Sequence, residues 1–97
     1  MLYFTWDPAK AEKNIAKHGV NFEGAESVFD DPHGVLISDG DSSTGEDRFV
    51  LLGFSSQARL LVVVHCYRDH DRQIRIISAR KANKKESKFY VGRTYER

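Results

Sequence analysis

The apolar run from Leu60 to Val64 gives way at once to His65, Cys66, Tyr67, Arg68, Asp69, His70, Asp71 and Arg72. A strand ending in such a series would carry its polar groups at the rim of a sheet, where a ligand can reach them. Arg68 and Arg75 flank the turn to the next strand, so both guanidinium groups could approach one phosphate, which arginine binds bidentately without losing its charge. Arg80 is expected to open the last helix, where free N–H groups and the positive dipole end add to anion affinity. With Lys81 beside it, three arginines and a lysine would converge on an anion.

Other chemistries fit less well. Imidazole and thiolate are good ligands, but adjacent strand residues point to opposite faces, so His65 and Cys66 should not share an ion with His70. No metal site and no cofactor are expected. Cys66 has no evident base or oxyanion site nearby, and a lone cysteine behaves as a small buried hydrophobe. Asp39, Asp41, Ser43 and Glu46 resemble a calcium loop only loosely, because Gly45 stands seventh rather than sixth and Val50 stands twelfth. His18, before Gly19, suits a helix C-terminus. Trp6, Phe22, Phe29 and Phe89 fall at core-like spacings, while Tyr67 and Tyr90 could pack or hydrogen-bond.

The elements that must hold these groups can be read in order. Leu2 to Trp6 is a short β-prone run. Asp7-Pro8 is an N-cap with proline at the first helical position, and Gly19 ends the helix. Asn21 caps a second helix with Phe22, Ala25, Val28 and Phe29 on one side, stopped by Asp31-Pro32. Val35 to Ser38 is a strand, and the polar stretch 39–45 reads as a mobile loop. Arg48 to Phe54, Leu60 to Tyr67 and Gln73 to Ala79 read as a three-stranded meander. A final helix is expected from Arg80 to about Tyr95, with Ala82, Glu86, Phe89 and Tyr90 docking and Lys81, Lys84, Lys85 and Lys88 outward. The expectation is an α+β fold, a small antiparallel-rich sheet with helices on one face and the other face free for a ligand.

The chain has 97 residues, the size of a single domain, and a formal net charge of +1. That total hides an asymmetry. Up to Glu46 there are 3 Lys+Arg against 9 Asp+Glu, and beyond it 12 against 5, so the second half is the part suited to an anionic partner. No apolar run approaches the ~18 residues of a membrane span, the start lacks a signal peptide's pattern, and one cysteine allows no internal disulfide. A soluble protein of a reducing cytoplasm is expected, with no membrane partner.

Five motifs then occur in order: Trp6-Asp-Pro, Lys17-His-Gly-Val, Val28-Phe-Asp-Asp-Pro, Gly45-Glu-Asp-Arg-Phe and Arg75-Ile-Ile-Ser-Ala-Arg-Lys-Ala. Together they resemble the BrnT ribonuclease toxins over about Phe4 to Tyr90, which makes residues 1–97 a single BrnT-like domain. The resemblance implies a RelE-like fold and metal-independent endoribonuclease activity that arrests translation. It also implies neutralisation by a BrnA-like antitoxin, in a complex expected to be a heterotetramer that binds operator DNA only through the antitoxin.

Cleavage of RNA without a metal uses the neighbouring 2′-hydroxyl as nucleophile, so the protein must supply a base, an acid and cations for the charged phosphorane. Arg75 and Arg80 are the matching motif arginines. The expectation is that Arg68, Arg75 and Arg80 stabilise the transition state, Glu46 or His65 accepts the proton, and Tyr67 or Lys81 assists. Arg48, Lys81, Lys84, Lys85 and Lys88 would hold RNA. The competing reading is a non-catalytic module that binds nucleic acid or protein through the basic helix. A third reading has the same lysines receiving an acidic antitoxin segment.

Overall fold

The computed structural model describes residues 2–38 and 48–95. Its elements in chain order are β1 (Tyr3–Thr5), α1 (Pro8–His18), α2 (Phe22–Ser27) with a following 3₁₀ turn (Val28–Asp30), β2 (Val35–Ser38), β3 (Phe49–Phe54), β4 (Leu60–Arg68), β5 (Gln73–Lys81) and α3 (Lys84–Tyr95). The polar stretch expected as a loop lies outside the described residues.

The local signals act as their chemistry requires. Asp7 accepts a hydrogen bond from the Ala9 N–H at 2.9 Å, Pro8 opens α1, and Gly19 ends it at φ 68°, with its N–H donating to the Ile15 carbonyl. Asn21 caps α2 by accepting from the Gly24 N–H at 2.6 Å. The strands form one five-stranded sheet of order β1-β5-β4-β3-β2, an antiparallel meander from β2 to β5 with β1 parallel to β5 at the far edge.

One face of the sheet is covered by α1, α2 and the 3₁₀ turn. Val20, Phe22, Ala25 and Val28 bury against Leu51, Leu61, Val63, Ile76 and Ala79, with Phe4, Trp6 and Phe29 closing the margin. Each fully buried aliphatic or aromatic side chain contributes about 1.5–3 kcal/mol. Buried Asn14 ties α1 to this core. Its amide donates to the Val20 and Ala79 carbonyls at 2.9 and 2.8 Å, and its oxygen accepts from the Ala79 N–H at 3.1 Å.

Two expectations fail here. The last helix begins at Lys84, not Arg80, because Arg80 and Lys81 remain in β5 opposite Val62 and Leu61, and the Ala82 N–H still donates to the Leu60 carbonyl. The helices also do not share one face. Tyr90 packs with Val35, Leu52 and Val62, which alternate with the first core's residues and therefore point to the other side. Consecutive apolar positions at Val50 to Leu52 and Leu60 to Val64 make both faces apolar in this half of the sheet, so a helix on each side is needed to bury them.

The latch for α3 is a carboxylate. Asp31 Oδ2 accepts the Tyr90 hydroxyl at 2.6 Å and the Phe54 N–H at 2.8 Å, while Oδ1 accepts the His33 N–H at 2.9 Å. Burial is the largest single influence on this carboxyl and pushes it up, but those three donors and the nearby His33 outweigh it and hold it below the ordinary aspartate value.

Candidate nucleic-acid interface

Cross-strand partners share a face of a sheet. Arg75 stands opposite Cys66 on one side and Thr5 on the other, Arg80 opposite Val62, Ser78 opposite Val64, and Gln73 opposite Arg68 and Tyr3. Arg68, Arg75 and Arg80 therefore lie on the face turned away from α1 and α2. There α3 packs on the Val35, Leu52 and Val62 part, leaving the β4–β5–β1 part with its arginines uncovered by any helix among the described residues. Arg48 directly precedes Phe49, which pairs with His65, so strand alternation carried one residue back puts Arg48 on the same face.

The arginines form a stripe and do not converge on one point as expected. At about 3.3 Å per residue, the five steps from Arg75 to Arg80 separate their backbones by roughly 15 Å. An irregularity in the ladder, where Val64 pairs with Ser78 and His65 with Ile76, leaves Ile77 as the extra residue and keeps Arg75 and Arg80 on one side. Such a stripe fits successive phosphates of a strand.

Within the stripe the arginines differ. Arg75 is half-buried and makes no hydrogen bond or ion pair with a described side chain, so its charge is unanswered among the described residues. Arg80 is held by Glu86 through two parallel bonds of 2.9 Å. That fork raises the arginine's proton affinity and holds the Glu86 carboxyl below its usual range. Glu86 also accepts the Asn83 N–H at 2.9 Å, and Asn83 Oδ1 accepts the Glu86 N–H at 2.8 Å. This reciprocal cap already occupies the start of α3, so the helix N-terminus expected as an anion site is filled by the protein's own side chains. Lys81 is exposed at the end of β5, and Lys84, Lys85 and Lys88 are exposed along α3.

The expected acid–base groups are not gathered at the stripe. His65 is fully buried on the helix-covered face, its Nδ1 3.1 Å from the Val63 carbonyl oxygen and its Nε2 3.3 Å from the Tyr67 hydroxyl. Phe29 meets it edge-on with centroids 4.8 Å apart, and burial pushes its pKa down, so it is a neutral core side chain with no route to a phosphodiester. Tyr67, half-buried on that same face, has its pKa raised by burial first and then by the Asp71 charge, so it stays protonated. Glu46 lies outside the described residues.

Sequence reasoning missed the neighbours that β1 brings to Arg75. Gln73 donates from Nε2 to Thr5 Oγ1 at 2.7 Å, and the Tyr3 hydroxyl donates to Asp69 Oδ2 at 3.0 Å, a bond that raises the phenol's pKa. A three-residue strand gives no period to read, so its pairing with β5 had no sequence signal. No group of three or more potential metal ligands occurs among the described residues, and none of their helices is long and apolar enough to cross a membrane.

Comparison with known proteins agrees with this architecture. Residues 6–86 match the family model described as the ribonuclease toxin BrnT of type II toxin-antitoxin systems. The crystal structure of the Brucella abortus ribonuclease toxin BrnT superposes with a TM-score of 0.68 at 21% identity, covering 87% of this chain and 100% of that one, which shows a shared fold. No curated protein matches the sequence.

Proposed function

The chain belongs to the BrnT family of ribonuclease toxins of type II toxin-antitoxin systems, and from that premise we propose that it cuts RNA on the uncovered β4–β5–β1 face, without a metal, through the 2′-hydroxyl. The family membership removes the non-catalytic alternative. The observation that carries the placement is Arg75, a half-buried guanidinium in mid-strand on the open face with no ion-pair partner among the described residues, flanked by Thr5 and Gln73. Cations are seldom left partly buried and unanswered, and a phosphate would answer this one.

In the proposed reaction the 2′-oxygen forms a bond to phosphorus as its proton leaves to a base, and the bond from phosphorus to the 5′-oxygen breaks as that oxygen takes a proton. The products are a 2′,3′-cyclic phosphate and a 5′-hydroxyl. Arg75 stabilises the phosphorane, with Arg68, Arg48 and Arg80 along the flanking phosphates. Loss of one such stabilising donor is worth about 10²-fold or more in rate. With His65 sealed in the core, Glu46 is the remaining expected base. Tyr67 is turned to the helix-covered face with His65, so Tyr3, held protonated beside Gln73 on the open face, is the candidate acid at this end of the sheet.

A type II toxin family implies an antitoxin. The finer proposal is a BrnA-like partner in a heterotetramer that reaches operator DNA only through the antitoxin, with the toxin acting on cytoplasmic RNA. The test is antitoxin-free protein with end-labelled RNA in EDTA. Fragments ending in a cyclic phosphate, and resistance of substrate with a 2′-deoxy scissile residue, are expected. Cleavage abolished by EDTA and restored by a divalent cation would refute the metal-free reading.

A further inference from the structure

On the open face, next to the arginine stripe, α3 stands away from the sheet edge and leaves a groove of about 270 Å³. Its floor is Val50, Leu52 and Val62, its walls are Ile37 of the edge strand β2 and Phe89 of α3, and Lys85 and Glu86 line its rim. Ile37 and Phe89 remain 44% and 47% exposed, a large apolar exposure to leave beside a buried cluster. Sequence reasoning had Phe89 as core. Once α3 begins at Lys84, Tyr90 takes the core position and Phe89 turns into the groove.

The charge around the groove is unbalanced. Lys84, Lys85 and Lys88 are exposed along α3, and none pairs with a carboxylate among the described residues. Glu86 is already committed to Arg80 and to the Asn83 N–H. We propose that this groove receives an acidic amphipathic segment of the antitoxin, its apolar side chains between Ile37 and Phe89 and its carboxylates against Lys84, Lys85 and Lys88. The proposal rests on the toxin–antitoxin reading and adds the surface on which the partner sits.

Other occupants leave part of the site unsatisfied. RNA would answer the lysines and leave the apolar walls wet. A second copy of this chain, packed with two-fold symmetry, would set the same lysines against each other. An acidic amphipathic segment answers both features. Because Glu86 on the rim grips Arg80 of the stripe, an occupant of the groove borders the proposed RNA path, so docking and neutralisation become one event.

The experiment uses the toxin chain co-expressed with the proposed BrnA-like antitoxin, with affinity measured by calorimetry after separation. Ile37→Thr and Phe89→Ser, both at exposed positions, are each expected to weaken antitoxin binding roughly 10-fold and together about 100-fold, by analogy with other interface anchors. Phe89→Leu should retain most of the affinity. RNA cleavage by the free variants should be unchanged, and wild-type affinity should fall with added salt. Equal affinity for wild type and the double variant overturns the groove and leaves the pairing standing. A wild-type toxin that binds no antitoxin overturns both. A toxin dimer lost on Phe89→Ser would give the groove to a second copy, and RNA binding lost with antitoxin affinity intact would give it to nucleic acid.

Discussion

Tyr90→Phe removes one hydroxyl and leaves the ring, so it isolates the polar latch that holds α3 to the sheet. The lost bond is a 2.6 Å contact to a carboxylate oxygen that also accepts the Phe54 N–H. Hydrogen bonds to charged groups contribute about 1.5–3 kcal/mol. Asp31 keeps two backbone donors and is only half-buried, which places the expected loss near the lower end, about 1.5–2 kcal/mol. The edge-on packing of Phe54 against the Tyr90 ring, with centroids 5.2 Å apart, should survive. For a chain of this length the loss lowers the melting temperature by roughly 6–16 °C.

The same variant makes a statement about pH. The folded state lowers the Asp31 carboxyl below its ordinary value of 3.8, so the latch is at full strength above that value and is lost as pH falls through the folded value beneath it. Urea melts of wild type, Tyr90→Phe, Asp31→Asn and the double variant should show a gap that is constant from pH 7 to about 5 and narrows in stronger acid, with clearly non-additive single effects. A Tyr90→Phe loss below about 0.5 kcal/mol at pH 7, within the range of ordinary surface substitutions, would refute the latch. So would strict additivity with Asp31→Asn.

The other stability predictions concern buried polar groups. Asn14→Leu leaves the Val20 and Ala79 carbonyls and the Ala79 N–H without their partner, and at about 1–3 kcal/mol for each orphaned group the expected loss is at least 3 kcal/mol, read as a lowered urea midpoint; a loss under about 1 kcal/mol would contradict it. His65 has a folded pKa pushed below its ordinary 6.5 by burial, so wild-type stability should be level above pH 7 and fall as pH drops below 6.5, whereas His65→Gln should lack that slope whatever its absolute stability. Equal slopes for the two proteins would show that the imidazole is not held neutral.

What could be read from the sequence was what short-range chemistry decides. Asp7-Pro8 and Gly19 bracket α1 because capping and left-handed φ depend on neighbouring residues, and the meander follows from its apolar runs. The start of α3 was misplaced because Arg80-Lys81-Ala82 has a helix-forming composition and only the facing Leu60 to Val62 keeps it in the sheet. The true signal was Asn83 followed three residues later by Glu86, a capping pair overlooked beside the lysines. At the site, the charge of Arg75 inside the otherwise apolar run Ile74 to Ile77 is legible in the sequence. His65 could have been set aside the same way, since its period-two register with Leu61 and Val63 puts it in the core. That Arg80 is gripped by Glu86 depends on where α3 docks, which no local pattern records.

The central claim is that Arg75, which has no ion-pair partner among the described residues, meets the scissile phosphate on the open sheet face. Its most direct test is the single-turnover cleavage rate of Arg75→Ala in EDTA, beside wild type and Glu86→Gln of matched circular dichroism. The account predicts a fall of roughly 10²-fold or more for Arg75→Ala, with Glu86→Gln, which keeps a side-chain oxygen to accept from Arg80 and the Asn83 N–H and leaves Arg75 untouched, staying near the wild-type rate. Wild-type cleavage by a folded Arg75→Ala protein would contradict it.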